Sequence, residues 1–220
     1  GLVTSDNHPP VRTNDPTSPD PGDPTDIPVV TRAELVATKV DTLIGDADQS
    51  GAASPGDLLL YQLTLRNIGN TAALTVTLGD TPDANTALVA GSVQTSQGAV
   101  TLGNQPGDTS VAVSIGAIPG KGGSATVSFV VRIDSPLPPN VSQVANQGLV
   151  RAGNTPAVLT DDPDTPAPND PTVTPISAAP RIAATKVDSL QIDADGDGQP
   201  SPGDTLRYTI AVRNTGLGTA

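Results

Sequence analysis

Hydrophobic and polar residues alternate along most of the chain between residues 33 and 152. The runs 58–67 and 127–133 show the pattern best, because an apolar side chain occupies every second position. This is the period of a β-strand that buries one of its two faces. Turns rich in glycine and proline separate the runs, and no stretch shows helical periodicity. Seven or more such runs within about 120 residues predict an all-β fold, an immunoglobulin-like antiparallel β-sandwich.

A later run, 205–213, repeats the alternation of the run 58–67 and indicates which of its faces points inward. In the later copy, apolar residues alternate with threonine and arginine, which favour solvent. The positions predicted to face inward in the earlier run are Leu59, Tyr61, Leu63 and Leu65. The next run alternates at Leu74, Val76 and Leu78.

The chain repeats itself at a constant offset. Lys39 corresponds to Lys186, so the offset is 186 − 39 = 147 residues, and Asp57 corresponds to Asp204 at the same offset. A long period of this kind is typical of tandem arrays. The predicted divisions are 1–32, the tail of a preceding repeat with a Pro/Asp-rich linker; 33–152, a complete repeat domain; 153–180, a second Pro/Asp-rich linker; and 181–220, the first strands and acidic loop of an incomplete next repeat.

The two proline-rich segments are predicted to be extended spacers. Each proline restricts the preceding residue to extended conformations, and such segments act as semi-rigid linkers. Both segments are also rich in aspartate. We expect these carboxylates to be solvated, and ion binding by Asp161, Asp162, Asp164 and Asp170 is the alternative.

Two acidic loops have the ligand spacing of a twelve-residue calcium loop. Each places oxygen-bearing side chains at positions 1, 3, 5, 9 and 12 and a glycine at position 6. The predicted ligands of the first loop are Asp46, Asp48, Ser50, the Ala52 carbonyl, Ser54 and Asp57; those of the second are Asp193, Asp195, Asp197, the Gln199 carbonyl, Ser201 and Asp204. The first loop has one carboxylate fewer and is expected to bind Ca²⁺ more weakly. The alternative is a pair of acidic turns without an ion.

Composition narrows the range of functions. The formal net charge of −12 argues against nucleic-acid binding, because a basic patch is needed to neutralise phosphates. The chain has no cysteine, which excludes disulfides and thiolate metal sites. Its single histidine, His8, lies in the proline-rich leader, where nothing would hold it beside a nucleophile. No apolar run approaches the length of a membrane span. These features predict a protein that is not an enzyme.

Several motifs resemble the "conserved repeat" domain of prokaryotic surface proteins, a family of unknown function. They are, in order, 38–41 (TKVD), 54–57 (SPGD), 61–72 (YQLTLRNIGNTA), 74–77 (LTVT), 118–127 (IPGKGGSATV) and 144–147 (VANQ). The resemblance covers residues 33–152 and the opening part of a second copy from residue 181. It implies an immunoglobulin-like domain in a large exported protein, secreted or at the cell surface. It implies no reaction.

Lys39 and Lys186 occupy the same position of an otherwise apolar strand. Surface adhesin domains sometimes form a Lys–Asn isopeptide bond beside a buried carboxylate, and Asn67, Asn146 and Asp41 are the residues to examine for one. The favoured interpretation is a lysine that extends to the sheet edge or pairs with the neighbouring Asp41 or Asp188.

Two functions follow from these patterns. The first is a structural segment of an extracellular stalk, matrix fibre or filament, stiffened by calcium and assembled with neighbouring repeats or identical subunits through strand pairing. The alternative is a calcium-dependent adhesin that binds a glycan or protein partner through turns such as 80–86 and 94–98.

Overall fold

The computed structural model describes residues 1–138, 140–177, 180 and 182–216. The described residues contain strands and turns but no helix, and therefore no helix that could span a membrane. The strands are β1 (Leu2–Ser5), β2 (His8–Arg12), β3 (Leu35–Gly45), β4 (Leu58–Asn67), β5 (Ala73–Asp80), β6 (Thr86–Leu88), β7 (Gln94–Thr95), β8 (Ala99–Leu102), β9 (Val111–Ile118), β10 (Gly123–Ile133), β11 (Gln143–Asn146), β12 (Gly148–Arg151), β13 (Val158–Leu159), β14 (Thr172–Pro175), β15 (Ile182–Ile192) and β16 (Thr205–Asn214).

Two antiparallel sheets form the central sandwich. The first has the order β3-β4-β10-β6, with β7 also paired to β10, and the second has the order β13-β12-β5-β9-β8. Taking β3, β4, β5, β10 and β12 as strands A, B, C, E and F of an immunoglobulin domain, the sheets read A-B-E-D and G-F-C, with β9 and β8 extending the second sheet beyond C. The predicted fold class, an immunoglobulin-like antiparallel sandwich, is confirmed.

The core lies between the two sheets and is built mostly from aliphatic side chains. In β4 the predicted inward positions Leu59, Tyr61, Leu63 and Leu65 are all buried. Tyr61 lies directly opposite Phe129 of β10, and the ring centroids are 5.4 Å apart. Such aromatic pairs add stabilisation to the burial of the rings themselves.

Strand β5 differs from simple alternation. Thr75 has a positive φ of 50°, and the pairing of β5 with β9 shifts register on both sides of Val76. A bulge of this kind moves the preceding residues to the opposite face of the sheet. Ala73 is therefore buried and Leu74 is half exposed, so the expected alternation beginning at Leu74 is wrong at that residue.

The segment 153–177, interpreted from the sequence as an extended linker, folds back onto the sandwich. Strand β13 pairs with β12, and β14 pairs with β11. The backbone of Asp161 forms a parallel bridge with Thr38 of β3. Its carbonyl accepts from the Lys39 amide, and its amide donates to the Ala37 carbonyl. This segment therefore bonds to part of the free edge of β3, and such edges are otherwise open to pairing with other chains. The predicted division at residue 181 lies outside the described residues.

Residues Gly1–Thr31 form a separate compact unit. Strands β1 and β2 make an antiparallel hairpin there, and the Thr13 amide donates to the Gly1 carbonyl. The leader is thus a hairpin followed by turns, where the sequence predicts an extended spacer. His8 begins β2 and is exposed.

Strands β15 and β16 form a second long hairpin. Its pairing reproduces that of β3 and β4 at the offset of 147: Lys39 faces Leu63 and Lys186 faces Ile210. Both hairpins also carry an irregularity at the same point of their first strand. The apolar side chains of β16 are exposed, including Ile210 at 63% and Val212 at 67%.

Candidate functional site: two acidic loops and a buried lysine

The first acidic loop joins β3 to β4. It brings together the carboxylates of Asp46, Asp48 and Asp57, with one oxygen from each within 4.8 Å of the others. Gly51, at position 6, has a φ of +76°, a conformation that L side chains rarely adopt. The Asp46 carboxylate accepts hydrogen bonds from the Ser50 amide (3.1 Å) and the Gly51 amide (2.8 Å), which close the turn.

Asp57 is the buried member of this loop. Its two oxygens accept from the Ala47 amide (2.7 Å), the Ser54 amide (2.8 Å) and the Ser54 hydroxyl (2.9 Å). These bonds hold Asp57 and Ser54 against each other, while the Ser50 hydroxyl donates to the Ala52 carbonyl at 3.0 Å. The predicted ligands at positions 5, 7, 9 and 12 are thus linked in pairs within the loop.

The second acidic loop joins β15 to β16. Here Asp193, Asp195 and Asp197 each contribute an oxygen to a cluster within 4.8 Å. Gly198, at position 6, again has a φ of +76°. Among the described residues this cluster does not include Asp204, whose oxygens accept from the amides of Ala194 and Ser201.

Two residues that carry predicted ligands, Gln199 and Ser201, bond to the cluster, but Gln199 does so through its backbone amide and not through the predicted carbonyl. The Gln199 amide donates to Asp197 at 2.7 Å, and the Ser201 hydroxyl donates to Asp195 at 3.2 Å. Three of the predicted carboxylate ligands therefore lie close together in each loop, and their role as ligands stays a prediction. The predicted carbonyl and hydroxyl ligands lie in the same turns as these carboxylates.

The electrostatics of the loops favour ionised carboxylates. The Gly51 amide lowers the pKa of Asp46, the Gly198 amide lowers that of Asp193, and the Ala194 amide lowers that of Asp204. Several negative oxygens in one small volume suit a hard cation such as Ca²⁺, which takes six to eight oxygen ligands. The donor set fits the ion, and calcium binding stays a prediction.

A separate cluster lies in the core of the sandwich around Lys39. The Lys39 side chain is fully buried, and its Nζ donates to Asp80 Oδ2 at 2.6 Å. Nζ also lies 4.6 Å from the ring centroid of Tyr61 and 5.2 Å from that of Phe129, within cation–π range. The expected pairing of Lys39 with Asp41 is wrong, because Asp41 instead accepts from the Thr174 hydroxyl at 2.9 Å.

Burial sets the protonation of this cluster. Desolvation lowers the pKa of Lys39 from 10.5 to about 8, although the Asp80 carboxylate opposes the change. Desolvation also raises the pKa of the Tyr61 phenol. The lysine amine is therefore far easier to deprotonate than an exposed one.

Asp80 ends β5 and points inward because it continues the alternation of Val76 and Leu78. Its backbone pairs with Gly148 of β12. A Cβ on Gly148 would lie 2.9 Å from Asp80 Oδ2, so the glycine leaves the space that the carboxylate occupies. Sequence reasoning missed Asp80, although the period-2 pattern of β5 already placed an acidic residue on the buried face.

The two asparagines proposed from the sequence differ. Asn67 is fully used in a turn: Oδ1 accepts from the amides of Glu34 and Gly69, and Nδ2 donates to the carbonyls of Thr71 and Ile118. Both of its side-chain atoms are already engaged in hydrogen bonds that hold the turn.

Asn146 is the opposite case. It is 2% exposed, and neither Oδ1 nor Nδ2 has a hydrogen-bond partner among the residues that the structure describes. The same holds for Asp80 Oδ1. Each buried polar atom left without a partner costs about 1–3 kcal/mol. Buried groups in this state call for a physical explanation.

No protein-family model matches the chain, and no curated protein matches it. The resemblance to the conserved-repeat family is therefore not confirmed. Among solved structures, the chain is similar to BcpA, the major pilin subunit of Bacillus cereus, with 10% identity over 83% of this chain and 59% of that chain, at a TM-score of 0.44.

Two further structures have similar strands. The major pilin SpaA of Corynebacterium diphtheriae matches at 18% identity over 71% of this chain and 39% of that chain, with a TM-score of 0.40. The collagen-binding subdomain of the Enterococcus faecalis surface protein ACE matches at 10% identity over 70% of this chain and 99% of that chain, with a TM-score of 0.39. The chain thus spans 59% and 39% of the lengths of the two pilins.

Proposed function

We propose that the chain is a structural repeat segment of an extracellular stalk, matrix fibre or filament, without catalytic activity. The observation that carries this proposal is the recurrence of one hairpin and one acidic loop at a constant offset of 147 residues. Tandem repeats of this kind build extended proteins from similar structural units.

The path of the chain through the sandwich supports a string of domains. The chain begins β3 at Leu35 and leaves the folded segment at Ser177, whose amide donates to the Ala53 carbonyl at 2.7 Å. Ala53 belongs to the acidic loop at the far end of the β3–β4 hairpin. The chain therefore enters at one end of the sandwich and leaves at the other.

The point at which the chain leaves the sandwich adjoins the first predicted calcium loop. Ala53 lies between the predicted ligands Ala52 and Ser54, so the departing segment is bonded to the acidic loop itself. An ion held by Asp46, Asp48 and Asp57 would rigidify the loop and the departing backbone together. Ca²⁺ would in this way stiffen the connection from one repeat to the next.

The test of calcium is a thermal melt followed by circular dichroism, with calcium, with magnesium and with chelator. Extracellular sites bind calcium at roughly 0.1–1 mM, and a ligand present at 100 times its dissociation constant stabilises the fold by about 2.7 kcal/mol. A rise in Tm with calcium that magnesium does not reproduce supports the proposal. Equal melts in all three conditions reduce the first loop, which belongs to the sandwich, to an acidic turn.

Assembly is proposed to proceed by strand pairing. The β15–β16 hairpin exposes Tyr208, Ile210 and Val212 along one face, and two strands alone rarely bury enough apolar surface to be stable. Further strands, from the same polypeptide or from a second subunit, would cover this face. Light scattering of the 220-residue chain distinguishes these sources, because a strict monomer at all concentrations contradicts subunit exchange.

The alternative, an adhesin, stays a prediction. The turn after β5, one of its suggested contact surfaces, uses much of its polar capacity internally: Asp83 accepts from the amides of Asn85 and Ala145 at 2.9 Å. Binding of a glycan or protein that is abolished by chelation would favour the adhesin over the passive segment.

A further inference from the structure

We infer that the side chains of Lys39 and Asn146 are joined by an isopeptide bond that forms spontaneously within the sandwich, with Asp80 as its general acid–base. The inference is independent of calcium binding and of array assembly. It starts from a buried amine, a buried carboxylate and a buried carboxamide, all in the sandwich.

Strand pairing brings Asn146 to the Lys39–Asp80 pair from two sides. Thr172 lies opposite Asn146 in the β11–β14 pairing, and the Thr172 hydroxyl donates to the Lys39 carbonyl at 2.9 Å. Gly148, two residues beyond Asn146 and also buried, faces Asp80 Oδ2, the atom that accepts from Lys39 Nζ. Asn146 is therefore paired with a residue that contacts Lys39 and lies two residues from one that adjoins Asp80.

The hydrogen-bond pattern indicates a reaction rather than a structural role. A core asparagine is normally held by donors and acceptors, as Asn67 is. Asn146 is as deeply buried but has no partner for either side-chain atom among the described residues. Covalent bonding to Lys39 removes the amide nitrogen from the core and leaves a carbonyl that a protonated Asp80 can satisfy.

The chemistry balances without a cofactor. Lys39 transfers a proton from Nζ to the Asp80 carboxylate across their 2.6 Å hydrogen bond, and burial of the amine assists this step. The Nζ lone pair then attacks Cγ of Asn146 to form a C–N bond. Asp80 relays a proton from the attacking nitrogen to the leaving nitrogen, the Cγ–Nδ2 bond breaks, and ammonia leaves. Asp80 ends protonated and donates to the new carbonyl oxygen.

The surroundings protect the amine during this step. The rings of Tyr61 and Phe129 flank Nζ, and water is excluded from a side chain that is fully buried. A dry site strengthens the proton transfer and the electrostatic interactions that accompany it. Lys186, in the equivalent position of the second hairpin, is exposed, and its Nζ lies 4.2 Å from the ring centroid of Tyr208. It is the matched control inside the same chain.

The test is the mass of the purified 220-residue chain after denaturation. We expect the chain to be lighter than its sequence mass by one ammonia, and protease digestion to release a branched peptide that joins Lys39 to Asn146. The full sequence mass for the wild-type chain overturns the inference, as does an ammonia loss mapped to any other pair of residues.

Variants locate the reaction. Asn146→Ala, Lys39→Arg and Asp80→Ala are expected to show the full sequence mass, whereas Lys186→Ala keeps the ammonia loss. Asp41→Asn, which changes the other nearby carboxylate, is also expected to keep it. Loss of ammonia that persists in Asp80→Ala but disappears in Asp41→Asn overturns the role of Asp80. Circular dichroism shows which variants fold, and the near-isosteric Asp80→Asn replaces Asp80→Ala if the latter does not.

Discussion

The β3–β4 and β15–β16 hairpins have nearly the same sequence pattern, the same register and the same irregularity, yet their side chains have opposite environments. Leu63 is fully buried, whereas its counterpart Ile210 is 63% exposed. Lys39 is held in the core by Asp80, whereas Lys186 is solvated. Local sequence therefore determines the hairpin, and the remaining strands determine what its residues do.

Paired core truncations should show the largest difference between the two hairpins. Leu63→Ala leaves a cavity in the core and should lower the free energy of unfolding by about 2–5 kcal/mol. Ile210→Ala changes an exposed side chain and should stay within about 0.5 kcal/mol. Urea unfolding followed by circular dichroism measures both values. Similar losses for the two variants would mean that the second hairpin is covered in solution.

Removal of Asp80, the acidic partner of Lys39, should have an effect of comparable size, whereas removal of the exposed Lys186 should have little. Asp80→Ala leaves a buried amine without its counter-charge and should cost about 3–5 kcal/mol. Lys186→Ala removes an exposed cation and should change stability by no more than about 0.5 kcal/mol. The same urea experiment compares them. A small loss for Asp80→Ala would show that the Lys39 site admits water.

A pH series sharpens the contrast at Lys39. In Asn146→Ser the amine is free, and its pKa is lowered by burial to about 8 in the folded state against 10.5 in the unfolded chain. The unfolded state then binds more protons between these values, so stability should rise from pH 8 to 10.5. The groups facing the amine are Asp80, Asp41 and Tyr61.

Two chains serve as controls for that series. The wild-type chain, whose amine is consumed by the proposed crosslink, should show no such rise, and neither should Asn146→Ser combined with Lys39→Met. A rise of equal size in the wild-type chain would indicate a free lysine amine. Unfolding free energies across the pH range give the answer.

The acidic loops should give the smallest difference. Asp48→Asn in the first loop should remove the calcium-dependent rise in the Tm of the sandwich, because only an ion bound to the folded domain stabilises it. Asp195→Asn in the second loop should weaken calcium binding measured by calorimetry but leave that melt unchanged. An identical effect of both variants on the melt would show that the loops act on one cooperative unit.

The sequence predicts the sandwich well because its strands are strongly periodic. Alternation alone predicts the inward face of β4, and all four of its predicted core residues are buried. The error at Leu74 comes from the bulge at Thr75, because a one-residue shift reverses the face and leaves no trace in the apolar pattern.

The buried cluster was harder to predict because its members come from distant strands. Lys39 is unusual in its apolar strand, but Asp80 is 41 residues away and is one of many aspartates in an acidic chain. Asn67 and Asn146 looked equivalent in sequence. Only the tertiary hydrogen bonds separate a turn-forming asparagine from one without partners. The acidic loops, by contrast, are local motifs, and the clustering of three carboxylates in each follows from their spacing.

The fold of the segment 153–177 also determines how the domain responds to force. Its later part runs parallel to β3: Thr172 contacts Lys39, Thr174 contacts Asp41, and Ser177 contacts Ala53 beyond the end of the strand. In the proposed array, tension would pull β3 from its beginning and this segment from its end, in opposite directions along their common axis. The contacts between them would then be loaded together in shear instead of opening one after another. In the proposed stalk or filament, these contacts would resist stretching along the line that joins neighbouring repeats.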